Sequence, residues 1–291
     1  MDALARARTP AALALLLNAF TWGVSWWPFR RLQEAGVHPL WATLLIYIVA
    51  TLVIVAWRRE APRQLLRTPA LWWLVLASGT TNAAFNWAVT IGDVVRVVLL
   101  FYLMPLWAVL LARLLLGEPL TVRALARVAL ALAGAAVVLW PEGGGWPLPH
   151  TLAEWLGVIG GFSFALNNVL LRREAAAPEA ARALAMFAGG ALVAGTLVMV
   201  LAADGTVGAL PAPAPGWLAG AFGLGLWFLM GNLALQYGAS RLPANVTAVV
   251  MITEVVFASA SAVLLGAGAM STSLALGGAL IVGGALLATS D

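Results

Sequence analysis

The chain contains sixteen arginines and no lysine, and the arginines lie beside or between long apolar runs. We recognise ten such runs, each close to the roughly 20 residues that an α-helix needs to span the hydrocarbon core of a membrane. When the chain is threaded back and forth through these runs, thirteen arginines fall on one side. The runs cover residues 10–29, 39–57, 69–90, 94–116, 121–140, 151–172, 180–203, 216–237, 242–266 and 271–290.

The side with thirteen arginines is predicted to be cytoplasmic, because cytoplasmic loops carry the excess of basic residues. Both termini are then cytoplasmic, and only Arg30, Arg31 and Arg96 face the other side. Removing one run would move the later arginine clusters to the wrong side, so the asymmetry also supports ten runs. The cytoplasmic set is Arg6, Arg8, Arg58, Arg59, Arg63, Arg67, Arg113, Arg123, Arg127, Arg172, Arg173, Arg182 and Arg241.

Composition excludes a soluble protein, since 63% of the residues are hydrophobic, 10% are charged and the mean hydropathy is +0.96. The lipid bilayer is therefore the first predicted partner. A basic pI of about 10.6 does not indicate a nucleic-acid partner, because the arginines are scattered over helix ends. The absence of cysteine excludes disulfides and thiolate chemistry. Run 1 contains Trp22, Trp26 and Pro28, so we expect a retained helix and not a cleaved signal peptide.

Short matches in a common order indicate that the chain is an internal duplication. Their offsets grow in small steps, as loop insertions would produce. At an offset of 142, residues 21–25 align with 163–167 and Arg30-Arg31 with Arg172-Arg173; at 146, Asn86 and Gly92 align with Asn232 and Gly238; at 149, Leu116-Gly117 and Gly134 align with Leu265-Gly266 and Gly283.

We therefore predict an all-α integral membrane protein with ten transmembrane helices in two five-helix repeats. Residues 1–140 form the first repeat, residues 141–150 the linker and residues 151–291 the second repeat. Because five is an odd number, the second repeat enters the membrane from the opposite face, so the repeats are inverted. Transporters with inverted repeats bind their substrates near the midplane, at the interface between the repeats.

The chain resembles the EamA branch of the drug/metabolite transporter superfamily. The resemblance rests on the ten runs in two fives, on Trp22-Gly23 in run 1, on Pro105 within run 4 and on the segment 116–121, Leu-Gly-Glu-Pro-Leu-Thr. Within the branch it is most similar to the YddG-type exporters of aromatic and other amino acids. It departs from the pattern at Ala267, which stands where Glu118 would be repeated. The resemblance implies a central cavity, alternating access and export across a bacterial inner membrane.

Glu254 is the sharpest candidate site residue, because it lies in the middle of run 9. An ionised carboxylate at that depth costs about 2.5–3.5 kcal/mol on insertion scales, so such groups are paired, protonated or functional. We predict that Glu254 faces the cavity and binds an ammonium group or carries a proton. The alternative is a protonated acid that is hydrogen-bonded to a neighbouring helix.

Polar side chains at helical spacing supply the other candidates. Run 3 carries a stripe of Ser78, Asn82, Asn86 and Thr90, which either lines the cavity or provides interhelical hydrogen bonds. Amides suit a zwitterion, since each offers both a donor and an acceptor. The predicted substrate-binding residues are Asn18, Trp22, Ser25, Asn82, Asn86, Tyr102, Ser163, Asn167, Trp227, Asn232 and Glu254. For the tryptophans the alternative is contact with lipid, and for Tyr102 it is a purely structural hydroxyl.

The resulting prediction is a secondary transporter that exports amino acids, with a small-molecule substrate, no cofactor, no metal and no catalytic residues. Hydrophobic drugs or other metabolites are the alternative cargo, and a non-transporting scaffold is the alternative of a different class. An enzyme is not predicted, because no histidine lies within a run and neither Asp-rich clusters nor a phosphate-binding loop occur. Runs 5 and 10 are almost free of polar residues, so we predict that they serve either as the scaffold or as the face of a homodimer.

Overall fold

A computed structural model describes residues 3–117, 119, 121–140, 146, 148–239, 250–251 and 253–287. Regular structure within these residues is helical. The helices are α1 (Ala3–Val24), α2 (Trp26–Glu34), α3 (Pro39–Trp57), α4 (Ala61–Leu66), α5 (Leu71–Ile91), α6 (Val94–Phe101), α7 (Met104–Leu116), α8 (Val122–Leu139), α9 (Leu152–Arg173), α10 (Glu179–Ala203), α11 (Pro215–Ala239), α12 (Thr253–Leu264) and α13 (Thr272–Leu287).

Each of the ten predicted runs contains helix. Among the described residues, five helical stretches are long and apolar enough to cross a membrane, namely Pro39–Trp57, Val94–Leu116, Leu152–Arg173, Glu179–Ala203 and Pro215–Leu235. The chain is therefore a multi-pass membrane protein. Ten crossings and cytoplasmic termini stay predictions, and residues 242–249 and 252 of run 9 and 288–290 of run 10 lie outside the described residues. The short helix α4 was not predicted.

Proline divides two of the runs. Pro28 has no N–H to donate to the Val24 carbonyl, and the Ser25 hydroxyl donates to the Trp22 carbonyl at 2.8 Å, so α1 ends and α2 begins there. Pro105 likewise cannot donate to the Phe101 carbonyl, and run 4 breaks between α6 and α7.

Glycines let the helices approach closely enough to enclose a central space. Gly79 of α5 packs against the backbone of Gly189 in α10, and Gly134 of α8 packs against Gly277 in α13. α5 also packs on α9, α3 packs on α10 and α11, and α1 packs on α11 and α12. Trp22 touches both main clusters of buried apolar residues, one around α6 and α12 and the other around α3 and α10. The central cavity lies at this junction.

Candidate functional site

A cavity of about 360 Å³ lies between helices of both halves of the chain. Such a volume is within the range of small-molecule sites. Ten of the twenty described residues that line it are apolar, nearly all of them aromatic or methionine, and ten carry polar groups. The apolar members are Trp22, Phe85, Phe101, Met104, Phe164, Met186, Phe187, Phe228, Leu235 and Met251, and the polar members are Asn18, Tyr47, Ser78, Thr81, Asn82, Tyr102, Asn167, Asn168, Asn232 and Glu254.

Glu254 is the one carboxylate among the described residues that line the cavity. It lies in the first turn of α12 and is only 9% exposed. The Tyr102 hydroxyl donates to Glu254 Oε2 at 3.2 Å and is 3.3 Å from the Met251 carbonyl. Gly23 of α1 lies against the Glu254 backbone, so a side chain at position 23 would displace α12. The carboxylate is thus held at the edge of the cavity with one oxygen partnered.

Two asparagines present unused acceptors. Asn18 Nδ2 donates to the Gly231 carbonyl at 2.8 Å, which joins α1 to α11. Asn167 Nδ2 lies 3.4 Å from Asn168 Oδ1 on the same helix. Within the described residues, neither Asn18 Oδ1 nor Asn167 Oδ1 has a hydrogen-bond partner, although both atoms are buried. A buried amide oxygen without a partner is unfavourable, so a donor from a bound molecule would stabilise both sites.

A second cluster of polar side chains is centred on α5. Asn82 Nδ2 donates to the Ser78 carbonyl at 2.8 Å, and its Oδ1 accepts from the Tyr47 hydroxyl of α3. Ser78 Oγ donates to the Met186 carbonyl of α10 at 3.0 Å. These bonds fix the orientation of the Asn82 amide while it lines the cavity.

Aromatic rings form the wall between these polar groups. The Trp22 ring centroid is 4.5 Å from that of Phe228 and 6.3 Å from that of Phe85. Phe101 packs on Phe85 at 4.9 Å and on Phe164 at 5.4 Å. Because the rings come from five helices, they form a continuous apolar surface suited to a flat or bulky side chain.

Seven of the eleven predicted site residues line this cavity, and four do not. The seven are Asn18, Trp22, Asn82, Tyr102, Asn167, Asn232 and Glu254. The hydroxyl of Ser25 is used at the break between α1 and α2. Asn86 is fully buried and donates to Thr43 Oγ1 at 3.1 Å. Ser163 is buried but lies off the cavity lining, and Trp227 packs edge-on against Phe20 on the other side of α11.

The prediction missed Tyr47, Asn168 and all five phenylalanines of the described lining. Tyr47 stands in a strongly apolar run, where a tyrosine ordinarily serves as packing. Asn168 follows Asn167 directly, so helical geometry alone would have turned it away from the same face. The signal that could have found it is the rarity of two adjacent amides within a membrane helix.

Chemically, the arrangement is suited to binding and orienting a small molecule. A carboxylate suits an ammonium group, the amides suit either end of a zwitterion, and the rings suit an apolar side chain. In the part of the chain that the structure describes, no group of three or more His, Cys, Asp or Glu side chains lies together to hold a metal ion.

Comparison with known proteins fits this architecture. Chains of solved structures match the fold; one crystal structure covers 97% of both chains with a TM-score of 0.58 and 22% sequence identity. That likeness shows a shared fold over almost the whole length. No curated protein matches the chain.

Residues 9–140 match the family model described as the EamA-like transporter family. The matched part covers the first five predicted runs, from α1 to α8. The predicted resemblance to the EamA branch is thereby supported over residues 9–140, while the same resemblance in the second half and the narrower one to amino-acid exporters stay predictions. The first half of this multi-pass membrane protein is therefore similar to the EamA-like transporter family, which supports a transporter of the drug/metabolite type.

Proposed function

We propose that the chain is a secondary transporter that exports amino acids, aromatic and other neutral ones, across the bacterial inner membrane. The observation that carries the proposal is one cavity that combines a buried carboxylate, several amides and an aromatic wall. Glu254 and the unpartnered Oδ1 atoms of Asn18 and Asn167 bind the α-ammonium group. The second N–H of each of these two amides binds the α-carboxylate, and the rings around Trp22 hold the side chain. No covalent step is needed.

Helix packing supports two inverted repeats around this cavity. The predicted duplication pairs run 1 with run 6, run 2 with run 7 and so on, so that α3 corresponds to α10 and α5 to α11. Exchanging the halves then converts the contact of α5 with α10 into that of α11 with α3. The contact of α5 with α9 becomes that of α11 with α1. The pairs α3 with α10 and α8 with α13 map onto themselves, and all of these helix pairs pack together.

Glycine contacts support the same correspondence at single residues. Gly92, at the end of α5, packs against Ala153, and Gly238, near the end of α11, packs against Ala11. The sequence offsets of 146 for the glycines and 142 for the alanines convert one contact into the other. A duplication with a two-fold axis in the membrane plane would produce both contacts.

Alternating access follows from that architecture. The substrate stays at the interface while the two halves rock around it, and it drives the change only through unequal affinity for the two states. Glu254 is the candidate carrier if protons are exchanged for substrate; a facilitator would need no carrier. Imposed pH gradients across proteoliposomes distinguish the two mechanisms.

The aromatic and methionine lining favours a second candidate, export of hydrophobic cationic drugs. Methionine adapts to ligands of varied shape, and three methionines line the cavity. A drug of this class would use Glu254 and the rings but would leave the amides without a role.

Counterflow in proteoliposomes tests the proposal. Vesicles loaded with unlabelled tryptophan, phenylalanine or leucine should accumulate the labelled amino acid, whereas tetraphenylphosphonium should be neither carried nor able to compete. Transport of the cation without amino-acid exchange would favour the second candidate. Exchange of neither class would contradict the proposal.

Glu254→Gln then tests the role of the carboxylate. A hydrogen bond to a charged group is worth about 1.5–3 kcal/mol, which corresponds to roughly tenfold or more in apparent affinity. We expect the KM of counterflow to rise by that factor. Glu34→Gln is the matched control, because Glu34 pairs with Arg31 at 2.8 Å on the exposed surface of α2 and should leave transport unchanged.

A further inference from the structure

We infer that Arg96 and Glu154 form a gate that holds the predicted periplasmic end of the protein closed while the cavity faces the other end. The inference rests on the proposed alternating access and adds two residues that lie outside the cavity lining. Both belong to the membrane ends that the arginine pattern assigns to the periplasm, one in each half of the chain.

The ion pair joins the two halves directly. Arg96 Nε in α6 lies 2.5 Å from Glu154 Oε1 in the first turn of α9, and the Glu154 side chain is only 8% exposed. The other carboxylate oxygen, Oε2, accepts from the backbone N–H of His150 at 2.6 Å and of Thr151 at 3.1 Å. The carboxylate is therefore fixed on α9, and the contact with Arg96 is the part that a rocking movement must break.

Further contacts at this end bring the same elements together. Gly92 packs against Ala153 at the start of α9, and Arg30 Nη2 of α2 donates to the Gly92 carbonyl at 2.5 Å. Asp93 caps α6 and accepts from the backbone N–H of Ala269 at 3.4 Å, in the connection between α12 and α13. Opening this end would separate α2 and α6 from α9 and α12.

An apolar layer lies between this end and the cavity. Val94, Val98 and Leu100 of α6 are at most 2% exposed. Trp26 adds a hydrogen bond across the halves, since its Nε1 donates to Ser261 Oγ of α12 at 2.9 Å.

The cavity itself extends the other way. Its lining includes Ser78, Met186 and Leu235, which lie in the predicted cytoplasmic portions of α5, α10 and α11. The arrangement is that of a chamber closed toward the periplasm.

The two ends are not equivalent in charge. At the offset of 142, the position in α1 that corresponds to Glu154 is Ala12, which cannot form an ion pair. The pair therefore stabilises closure at one end only, and its loss shifts the population toward the state that is open to the periplasm.

Thiol labelling tests the gate, and the absence of native cysteine makes every introduced cysteine a unique reporter. Ser78→Cys is nearly isosteric and lies in the cavity lining. A membrane-impermeant maleimide is added to spheroplasts, which expose the periplasmic face, or to inside-out vesicles. We expect Arg96→Gln and Glu154→Gln each to raise labelling in spheroplasts at least about fivefold, the lower end of usual couplings between states.

Three comparisons separate a gate from general damage. Arg96→Lys keeps the charge and should restore most of the parental labelling. Arg31→Gln breaks the exposed pair with Glu34 and should change nothing. The double variant Arg96→Gln/Glu154→Gln should exceed neither single variant, because the same contact is lost.

The gate is wrong if the parental labelling in spheroplasts persists in Arg96→Gln while the protein still performs counterflow. It is also wrong if Arg31→Gln raises labelling as much. If Ser78→Cys reacts from neither side in any variant, the water-filled chamber itself is overturned, and with it the proposed transport. If the parental Ser78→Cys protein is labelled but performs no counterflow, the proposed transport is contradicted. The labelling of its variants would still show whether the ion pair closes the periplasmic end.

Discussion

The Tyr102 hydroxyl donates to the Glu254 carboxylate at 3.2 Å, across the boundary between the two halves of the chain. Tyr102 reaches this position because it follows α6 at the break before Pro105. In an uninterrupted helix, Tyr102 would instead continue the regular turns of α6. The proline break in the first half therefore positions the group that orients the carboxylate in the second half, at the edge of the cavity.

Tyr102→Phe removes that hydrogen bond and keeps the ring. Since Glu254 would lose its only side-chain donor within the described residues, its carboxylate should be less well oriented. We expect the KM of counterflow to rise about fivefold, which corresponds to about 1 kcal/mol for one hydrogen bond, with little change in melting temperature. An unchanged KM together with a defective Glu254→Gln would mean that the carboxylate binds without help from Tyr102.

Asn82 and Asn86 provide a matched pair, because they are the same residue type one helical turn apart on α5. Asn82 lines the cavity, whereas Asn86 is fully buried against Thr43. Asn82→Ala should raise the KM severalfold. Asn86→Ala should instead lower stability by about 1–2 kcal/mol with the KM unchanged, measured by thermal unfolding in detergent beside counterflow. The reverse pattern would contradict the assignment of the cavity.

This pair also shows how far sequence reasoning reaches. Helical spacing placed Ser78, Asn82, Asn86 and Thr90 on one stripe, and all four are buried. Only the first two line the cavity, because α3 brings Thr43 against Asn86 and the Thr90 hydroxyl turns back to the Asn86 carbonyl. Periodicity identifies a polar face of a helix, but which neighbour covers each part of it depends on tertiary packing.

The same limit applies to the fold. Runs of apolar residues predicted where helix would occur, since hydrocarbon requires every backbone group to be paired internally. The helix breaks at Ser25 and after Phe101 follow from Pro28 and Pro105, which were visible in the sequence. Trp227 does not line the cavity, because its position along the run did not reveal the direction in which the side chain leaves α11. Tyr47 escaped notice because its partner Asn82 lies 35 residues away.

Close packing of α5 on α10 predicts a strong response at Gly79. A Cβ at this position would meet the Gly189 backbone and the Val193 side chain. Gly79→Ala should therefore destabilise the protein by about 1–3 kcal/mol, the usual cost of overpacking, seen as a lower melting temperature in detergent.

Gly223 of α11 is the control for Gly79, since a Cβ there would meet nothing within 4 Å. Gly223→Ala should be neutral or stabilising by up to about 1 kcal/mol, because alanine favours helix. Equal responses at the two positions would show that the α5–α10 contact is looser than described.

The predicted topology can be tested with two single cysteines. Thr206 lies in the exposed connection between α10 and α11, and Arg59 lies in that between α3 and α4. The ten-run threading places Thr206 in the periplasm and Arg59 in the cytoplasm. In spheroplasts, an impermeant maleimide should label Thr206→Cys, whereas Arg59→Cys should react only after permeabilisation. Labelling of both from one side would contradict the predicted number of crossings between them.

His38 gives the protein a predictable response to acid. Its side chain caps α3, where Nδ1 accepts from the Leu40 N–H at 3.2 Å, and its ring packs edge-on against Trp87. Burial lowers the pKa of His38 below its ordinary value of 6.5. Because the folded protein prefers the neutral ring, the stabilisation is present above the unfolded pKa of about 6.5 and is lost as the pH falls through the folded pKa.

We therefore expect the melting temperature in detergent to fall when the pH drops from about 7 to about 5, since a protonated His38 can no longer accept at Nδ1. His38→Asn keeps an acceptor at the cap and removes the titration. Its melting temperature should change less over the same interval. The difference reports on His38, because the other titrating groups contribute equally to both proteins. Parallel pH curves for the two proteins would show that His38 does not titrate in this range, and that its cap contributes equally at both pH values.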